Sequence, residues 1–146
     1  MRVAVVTRRR TLSTSAAGLT AFTRALAGRA GTGGATDVTI VLAGDATLRR
    51  LNRTFRKKDK TTDVLSFPSG RDGHPDGSRP LGEIVISVPQ AGRQAKAAGH
   101  ARAIELRVLV IHGYLHLLGY DHEVDDGTMM RLQARLARAL VPKARR

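Results

Sequence analysis

The stretch that most constrains this chain is HGYLHLLGYDH, residues 112–122, which holds three of the five histidines in the spacing H-x3-H-x5-H. Upstream of it, Ala101 to Ile111 reads as a helix that turns apolar on nearly every side from Val108 onward. Ile104, Val108, Ile111, Leu115 and Leu118 recur at the period of a buried helical stripe. His112 and His116 stand four residues apart on that helix, so their side chains project from one face, one turn apart. Gly119 is a natural helix stop, because glycine reaches the left-handed conformation without a Cβ clash. The turn it makes can swing His122 back beside the other two. Burying three imidazoles without a shared partner would be costly. Converging on one point, they match the geometry zinc asks for. A structural zinc site normally takes a fourth protein ligand, often cysteine, and the chain has no cysteine. Three histidines with an open position are the pattern of a catalytic site.

The same spacing and glycine fit the metzincin protease frame H-E-x-x-H-x-x-G-x-x-H. Gly113 stands where that frame has its glutamate, the general base of peptide hydrolysis. Glu105 lies on the histidine face but about 10 Å away along the helix axis, too far to replace it directly. The cradle is present and the protease base is absent. A metalloprotease-like hydrolase is therefore one rival reading, and a non-catalytic factor with a structural zinc is another.

A formal net charge of +13 over 146 residues favours a polyanionic partner, with nucleic acid the obvious one. Aromatic residues make up only 3%, so a stacking platform for bases would be thin and RNA binding should lean on phosphates. No apolar run approaches the roughly 18 residues of a membrane span. The absence of cysteine rules out disulfides and suits a reducing cytoplasm. Residues 1–36 carry no acid and many Ser, Thr and Arg, which is also transit-peptide composition, but the valines at the start argue for a strand instead.

Met1 to Thr7 reads as that strand, ended by Arg8-Arg9-Arg10. Thr14 to about Arg29 reads as a helix with Leu19, Phe22 and Leu26 inward and Ser13 or Thr14 as cap. Thr36 to Leu42 is a strand. Asp45 can cap a following helix whose Leu48, Leu51 and Phe55 face the core, with Arg49, Arg53, Arg56 and Lys60 as a basic stripe opposite. Seven basic residues stand against one acid between Arg49 and Lys60, a bias unlike a merely solvated face. Thr61 to Pro68 is a strand, Ser69 to Pro80 a loop containing a solvent-exposed His74, and Leu81 to Val88 the last strand. Pro89 can open a helix over Gln90 to Ala98. After the histidine turn, Asp125 can cap a terminal helix buried along Met129, Leu132, Leu136 and Leu140. Arg131, Arg135, Arg138, Lys143, Arg145 and Arg146 make that end basic. These elements imply one small α+β domain over residues 1–146, with a mixed sheet of about four strands packed with helices. The zinc site would lie at the end of a core helix.

Residues 112–122 together with FRKKDKTTDVLSFP (55–68) and LGEIVIS (81–87) resemble the YbeY family, metal-dependent bacterial endoribonucleases of ribosomal RNA maturation. The three blocks cover most of the chain, most weakly before Thr36. The resemblance implies a single α+β domain, one zinc on His112, His116 and His122, and an arginine over the site at Arg56. It also implies single-strand-preferring cleavage, a cytoplasmic location, and partners on the small ribosomal subunit, whether ribosomal RNA, ribosomal proteins or a ribosome-assembly GTPase. Glu83 and Thr61 depart from the family's more usual Asp and Pro. Zinc lowers the pKa of bound water and polarises a phosphoryl oxygen, so phosphodiester cleavage needs no metzincin glutamate if cationic groups stabilise the phosphorane. Arg56 offers a planar fork for two phosphate oxygens. Arg49, Arg53 and Lys60 are candidate RNA contacts. Asp121 is a candidate proton shuttle or histidine-orienting partner, or simply a cap for the turn.

Overall fold

Alternating β-branched residues let three strands lie side by side with one set of side chains on each face. In the computed structural model, which describes residues 1–8, 16–70 and 72–141, these are β1 (Arg2–Thr7), β2 (Asp37–Ala43) and β4 (Pro80–Ser87), all parallel. An edge strand, β3 (Val64–Pro68), pairs antiparallel with β4, giving the order β1-β2-β4-β3. Parallel pairing requires crossovers. α1 (Leu19–Ala30) joins β1 to β2, and α2 (Asp45–Arg56) leads from β2 to β3. α3 (Val88–Ala98), α4 (Arg102–Leu117) and α5 (Thr128–Leu140) complete the chain. The expected mixed four-stranded α+β sheet is thus observed.

The two sheet faces carry separate cores. Ile40, Leu42, Ile84 and Ile86 point into the larger one, with Leu26 of α1 and Val110 of α4. Val41, Ala43, Leu65 and Val85 point the other way and are covered by Leu48 of α2. α2 therefore lies on the face of the sheet opposite α4. Within the larger core Tyr114 is fully buried, and its hydroxyl donates to the Gly31 carbonyl at 2.6 Å. Burial pushes that phenol up to about 12.

Several expectations need correction. α1 begins at Leu19 behind Gly18, not at Thr14, and the proposed Ser13 or Thr14 cap lies outside the described residues. Arg9, Arg10, Lys143, Arg145 and Arg146 also lie outside them, as does Arg71 of the long loop. Gly44, not Asp45, is the N-cap of α2; Asp45 is the first helical residue and its carboxylate accepts from Ser87 Oγ at 2.7 Å and Arg93 Nη2 at 2.8 Å. Phe55 does not face the core: it is 63% exposed. Lys60 does not continue the stripe, because α2 stops at Arg56 and Lys57 turns left-handed at φ 60°. The buried amide of Asn52 then donates to the Lys60 carbonyl at 2.9 Å. Ser87 rather than Pro89 opens α3, accepting from Gln90 N, with the proline inside the first turn.

Replacing Tyr114 by Phe would keep the buried ring and remove its hydrogen bond to the carbonyl of the exposed Gly31. Tyr114→Phe should lower unfolding free energy by about 0.5–1.5 kcal/mol. Urea titration would read this as a lower midpoint at an unchanged slope. An unchanged midpoint would show that water satisfies Gly31 equally well.

Candidate metal centre

The last two turns of α4 set His112 and His116 one above the other, half-buried at the surface of the larger core. Their Nε2 atoms are 3.2 Å apart. The rear nitrogens are both engaged. His112 Nδ1 lies 2.8 Å from Gln133 Oε1 on α5, and His116 Nδ1 lies 2.9 Å from the Tyr120 carbonyl. Both partners only accept, so each neutral imidazole carries its proton on Nδ1 and presents a bare Nε2 lone pair. Two bare lone pairs facing each other at this distance repel unless a cation lies between them. Tetrahedral zinc with Zn–N of about 2.0–2.1 Å would itself space its ligands by roughly 3.3–3.4 Å. One ligand atom from each of His112, His116 and His122 lies within 4.8 Å of the others, so this group could hold a metal ion. Burial pulls the His116 pKa below its usual 6.5, aided by the neighbouring His112 charge and opposed by the Tyr120 carbonyl. It is ready to ligate at neutral pH.

The turn that delivers His122 follows from Gly119, whose φ of +104° closes the helix. Its N–H bonds the His116 carbonyl at 3.0 Å and the next N–H, of Tyr120, bonds the Leu115 carbonyl at 3.1 Å. This paired closure is the Schellman pattern. The same motif that stops α4 carries the Tyr120 carbonyl onto His116. Asp121 then accepts from Glu123 N at 3.0 Å, a local turn bond, and the histidine-orienting contacts come from Gln133 and Tyr120 instead. Gly127, at φ 94°, is the N-cap of α5 in place of the expected Asp125, which stands two residues earlier and accepts from Gly127 N and Met129 N. Those backbone bonds, from Met129 and then Gly127, hold its carboxyl below 3.8. α5 thus starts against the histidine turn and returns Gln133 to His112.

A cleft of about 320 Å³ opens over the imidazoles, walled by β3 from Val64 to Ser66 and rimmed by Arg56 and Glu123. Arg56 ends α2 on the opposite sheet face and reaches the cleft past the edge strand. Its Nη2 lies 3.8 Å from Glu123 Oε1. Arg49, Arg53 and Lys60 do not line this cleft; they border a shallow groove along α2 with Asp59. Arg49 holds Asp59 through two hydrogen bonds, 2.9 and 3.3 Å, and Arg53 stands 3.8 Å from it.

Gly113 faces the sheet. A Cβ there would meet Ile84 Cγ2 at 2.6 Å and Ser66 Oγ at 3.1 Å. The protease glutamate is therefore not merely missing from that position but sterically excluded. Gln133, Ser66 and Glu123 did not emerge from the sequence reading. Gln133 alone had a signal, as a polar residue between Met129 and Leu136 on the buried side of α5.

The family model described as Endoribonuclease YbeY matches residues 7–140. Endoribonuclease YbeY of Solibacter usitatus is 54% identical over 95 residues, covering 65% of this chain and 60% of that protein. Its counterpart in Moorella thermoacetica is 46% identical over 111 residues, 71% of each. Among solved structures, a Thermotoga maritima protein superposes with a TM-score of 0.65 at 26% identity, over 98% of this chain and 91% of that one.

Alanine at His112, His116 or His122 should each remove most bound metal by elemental analysis. Gln133→Leu, which frees the His112 ring, should weaken metal affinity by about 10- to 100-fold in a chelator competition. Stoichiometric metal in all three alanine variants would displace the site.

Proposed function

The chain belongs to the YbeY family, and from that premise we propose that it is a zinc-dependent endoribonuclease cutting single-stranded stretches of ribosomal RNA during maturation. One observation carries this reading. A three-histidine cradle from one sheet face and the Arg56 guanidinium from the other meet on a single cleft. When bound, zinc lowers the pKa of a coordinated water and polarises a phosphoryl oxygen. The chain supplies the rest. His112 and His116 are locked by Gln133 and Tyr120 with Nε2 facing the cleft. Arg56 presents a planar fork to two phosphate oxygens as negative charge grows on them. Glu123 steers that fork over the cleft and yields it to phosphate, since 3.8 Å is beyond hydrogen-bond length.

Two rivals are weaker. A metalloprotease needs a base where Gly113 admits no side chain. A structural zinc would call for a fourth side-chain ligand, and none joins the group among the described residues. The net charge of +13 supports a polyanionic partner; we read it as ribosomal RNA in the cytoplasm, with proteins of the small subunit or an assembly GTPase as further partners. No helix among the described residues is long and apolar enough to cross a membrane.

Arg56→Ala should lower single-turnover cleavage at saturating RNA by about a hundred- to a thousandfold, the usual loss of roughly 2.7–4 kcal/mol for one such donor. Arg56→Lys keeps the charge and discards the fork, so it should restore little, with metal content normal. A wild-type rate for Arg56→Ala would remove this residue from the mechanism. Affinity for RNA should fall steeply with salt, and charge reversal at Arg49 and Arg53 should flatten that dependence. A salt-independent affinity would reduce the α2 stripe to a solvated surface.

A further inference from the structure

The ring that sequence spacing assigns to the core is instead the most exposed aromatic of the molecule. The chain has five aromatic residues, two Tyr and three Phe. Phe22 and Tyr114 are buried, Phe67 and Tyr120 are half-buried, and Phe55 is 63% exposed. Phe55 is nevertheless well held. It sits in the last turn of α2 and meets the Phe67 ring edge-on, with centroids 5.1 Å apart and planes at 69°. Phe67 is anchored against the smaller core. Burial is thus forgone at a position that another ring braces.

Isolated exposed apolar residues are common and need no explanation. The neighbours of this one distinguish it. Arg56, next in sequence, lines the metal cleft, and so does Ser66, next to Phe67. Ser66 and Phe67 point to opposite faces of β3, so the ring pair lies across the edge strand from the histidines, on the side from which Arg56 reaches the cleft. A nucleotide whose phosphate lies on Arg56 can turn its base around that edge toward the ring next to the arginine. The flanking cations Arg53, Lys57 and Lys58 are all exposed. Aromatic faces set among phosphate-binding cations are how single strands are held without reading base edges.

We propose that Phe55, braced by Phe67, is the stacking platform for the nucleobase adjoining the phosphate at the metal cleft. The proposal rests on the RNA-cleaving reading and gives its single-strand preference a physical origin. A base in a duplex already has stacking partners on both sides, whereas an unpaired base gains one here. Every base has a π-face, so the platform selects unpaired nucleotides more than particular letters, with purines favoured for their larger rings.

The test compares metal-loaded wild type, Phe55→Leu and Phe55→Tyr in single-turnover cleavage of a short single-stranded RNA across protein concentrations. Phe55→Leu should raise the half-saturating concentration about tenfold while the saturating rate barely changes, and Phe55→Tyr should restore binding. An RNA abasic at one position near the cut should bind wild type and Phe55→Leu alike. Thermal unfolding of Phe55→Leu should match wild type, as expected for an exposed ring. The chain has no tryptophan, so Phe55→Trp adds a unique fluorophore that stacking RNA should quench. Wild-type affinity in Phe55→Leu, or an equal loss on every abasic RNA, would overturn the platform while leaving the nuclease intact. A markedly lower melting temperature with normal affinity would make Phe55 structural and also overturn it. No cleavage by wild type would sink the nuclease reading and the platform together.

Discussion

The contact on which the rest of the site depends is the approach of α4 to the sheet at Gly113. With no side chain at that position, the helix backbone comes close enough for Ser66 Oγ to donate to the Gly113 carbonyl at 3.0 Å. A Cβ would overlap Ile84 and force helix and sheet apart. Gly113 lies between the two helical ligands, so the depth of α4 at this point sets how both imidazoles stand relative to β3. Lifting the helix would carry the cradle away from the rim that Arg56 occupies. One glycine therefore seats the metal ligands and bars the side chain a protease would need there. Glycine in a helix interior is unfavourable by roughly 0.5–1 kcal/mol relative to alanine, which this packing offsets.

The position of Arg56 is determined at the other end of its helix. The Asp45 carboxylate gathers Ser87 Oγ, Arg93 Nη2 and, more loosely at 3.5 Å, Thr61 Oγ1. Burial works against that charge, but the Ser87 and Arg93 bonds hold the carboxyl below 3.8. Ser87 also caps α3. The start of α2 is thus tied to the end of β4 and the start of α3. A helix pinned at its first residue delivers its last turn to a defined place. Because β3 is an edge strand with no neighbour beyond it among the described residues, that last turn can reach around to the cleft that α4 forms on the other face.

Periodic apolar residues make the four strands and the core helices legible in the sequence, and the histidine spacing with Gly119 makes the cradle legible there too. These are local patterns, and a one-dimensional string records them. Phe55 shows where such reading ends. Its spacing from Leu48 and Leu51 places it on the inward stripe, but the supporting strand β3 ends near it and leaves the last turn of α2 overhanging. Whether a stripe is covered depends on the length of what lies beneath it. Lys60 fails for a related reason: the helical count assumed a helix that Lys57 terminates. Gln133 is a third case, since its role exists only after α5 folds back on α4, a contact 21 residues apart in sequence. Asp45 was recognised as a helix-start carboxylate, but its partners Ser87 and Arg93 come from later segments.

The charge on the RNA-facing side is less uniform than the count of basic residues suggests. Arg49 is held by Asp59 in a bidentate pair, and its hydrogen bonds and charge hold that carboxyl below the ordinary range. A phosphate approaching Arg49 must displace a carboxylate of similar geometry, so part of the gain in contact is returned as a broken pair. Arg56 stands differently: its Nη2 is 3.8 Å from Glu123 Oε1, beyond hydrogen-bond length. An incoming phosphate there adds hydrogen bonds and removes few. Surface ion pairs contribute little to stability, with a median of about 0–1 kcal/mol, so both acids act mainly on where the arginines point. Arg53 is no more engaged than Arg56, since it too stands 3.8 Å from its acid. What sets Arg56 apart is its place: it lines the histidine cleft, whereas Arg49 and Arg53 border the separate groove along α2. A strand drawn in by the overall field can therefore lay one phosphate on that fork and beside the histidines together.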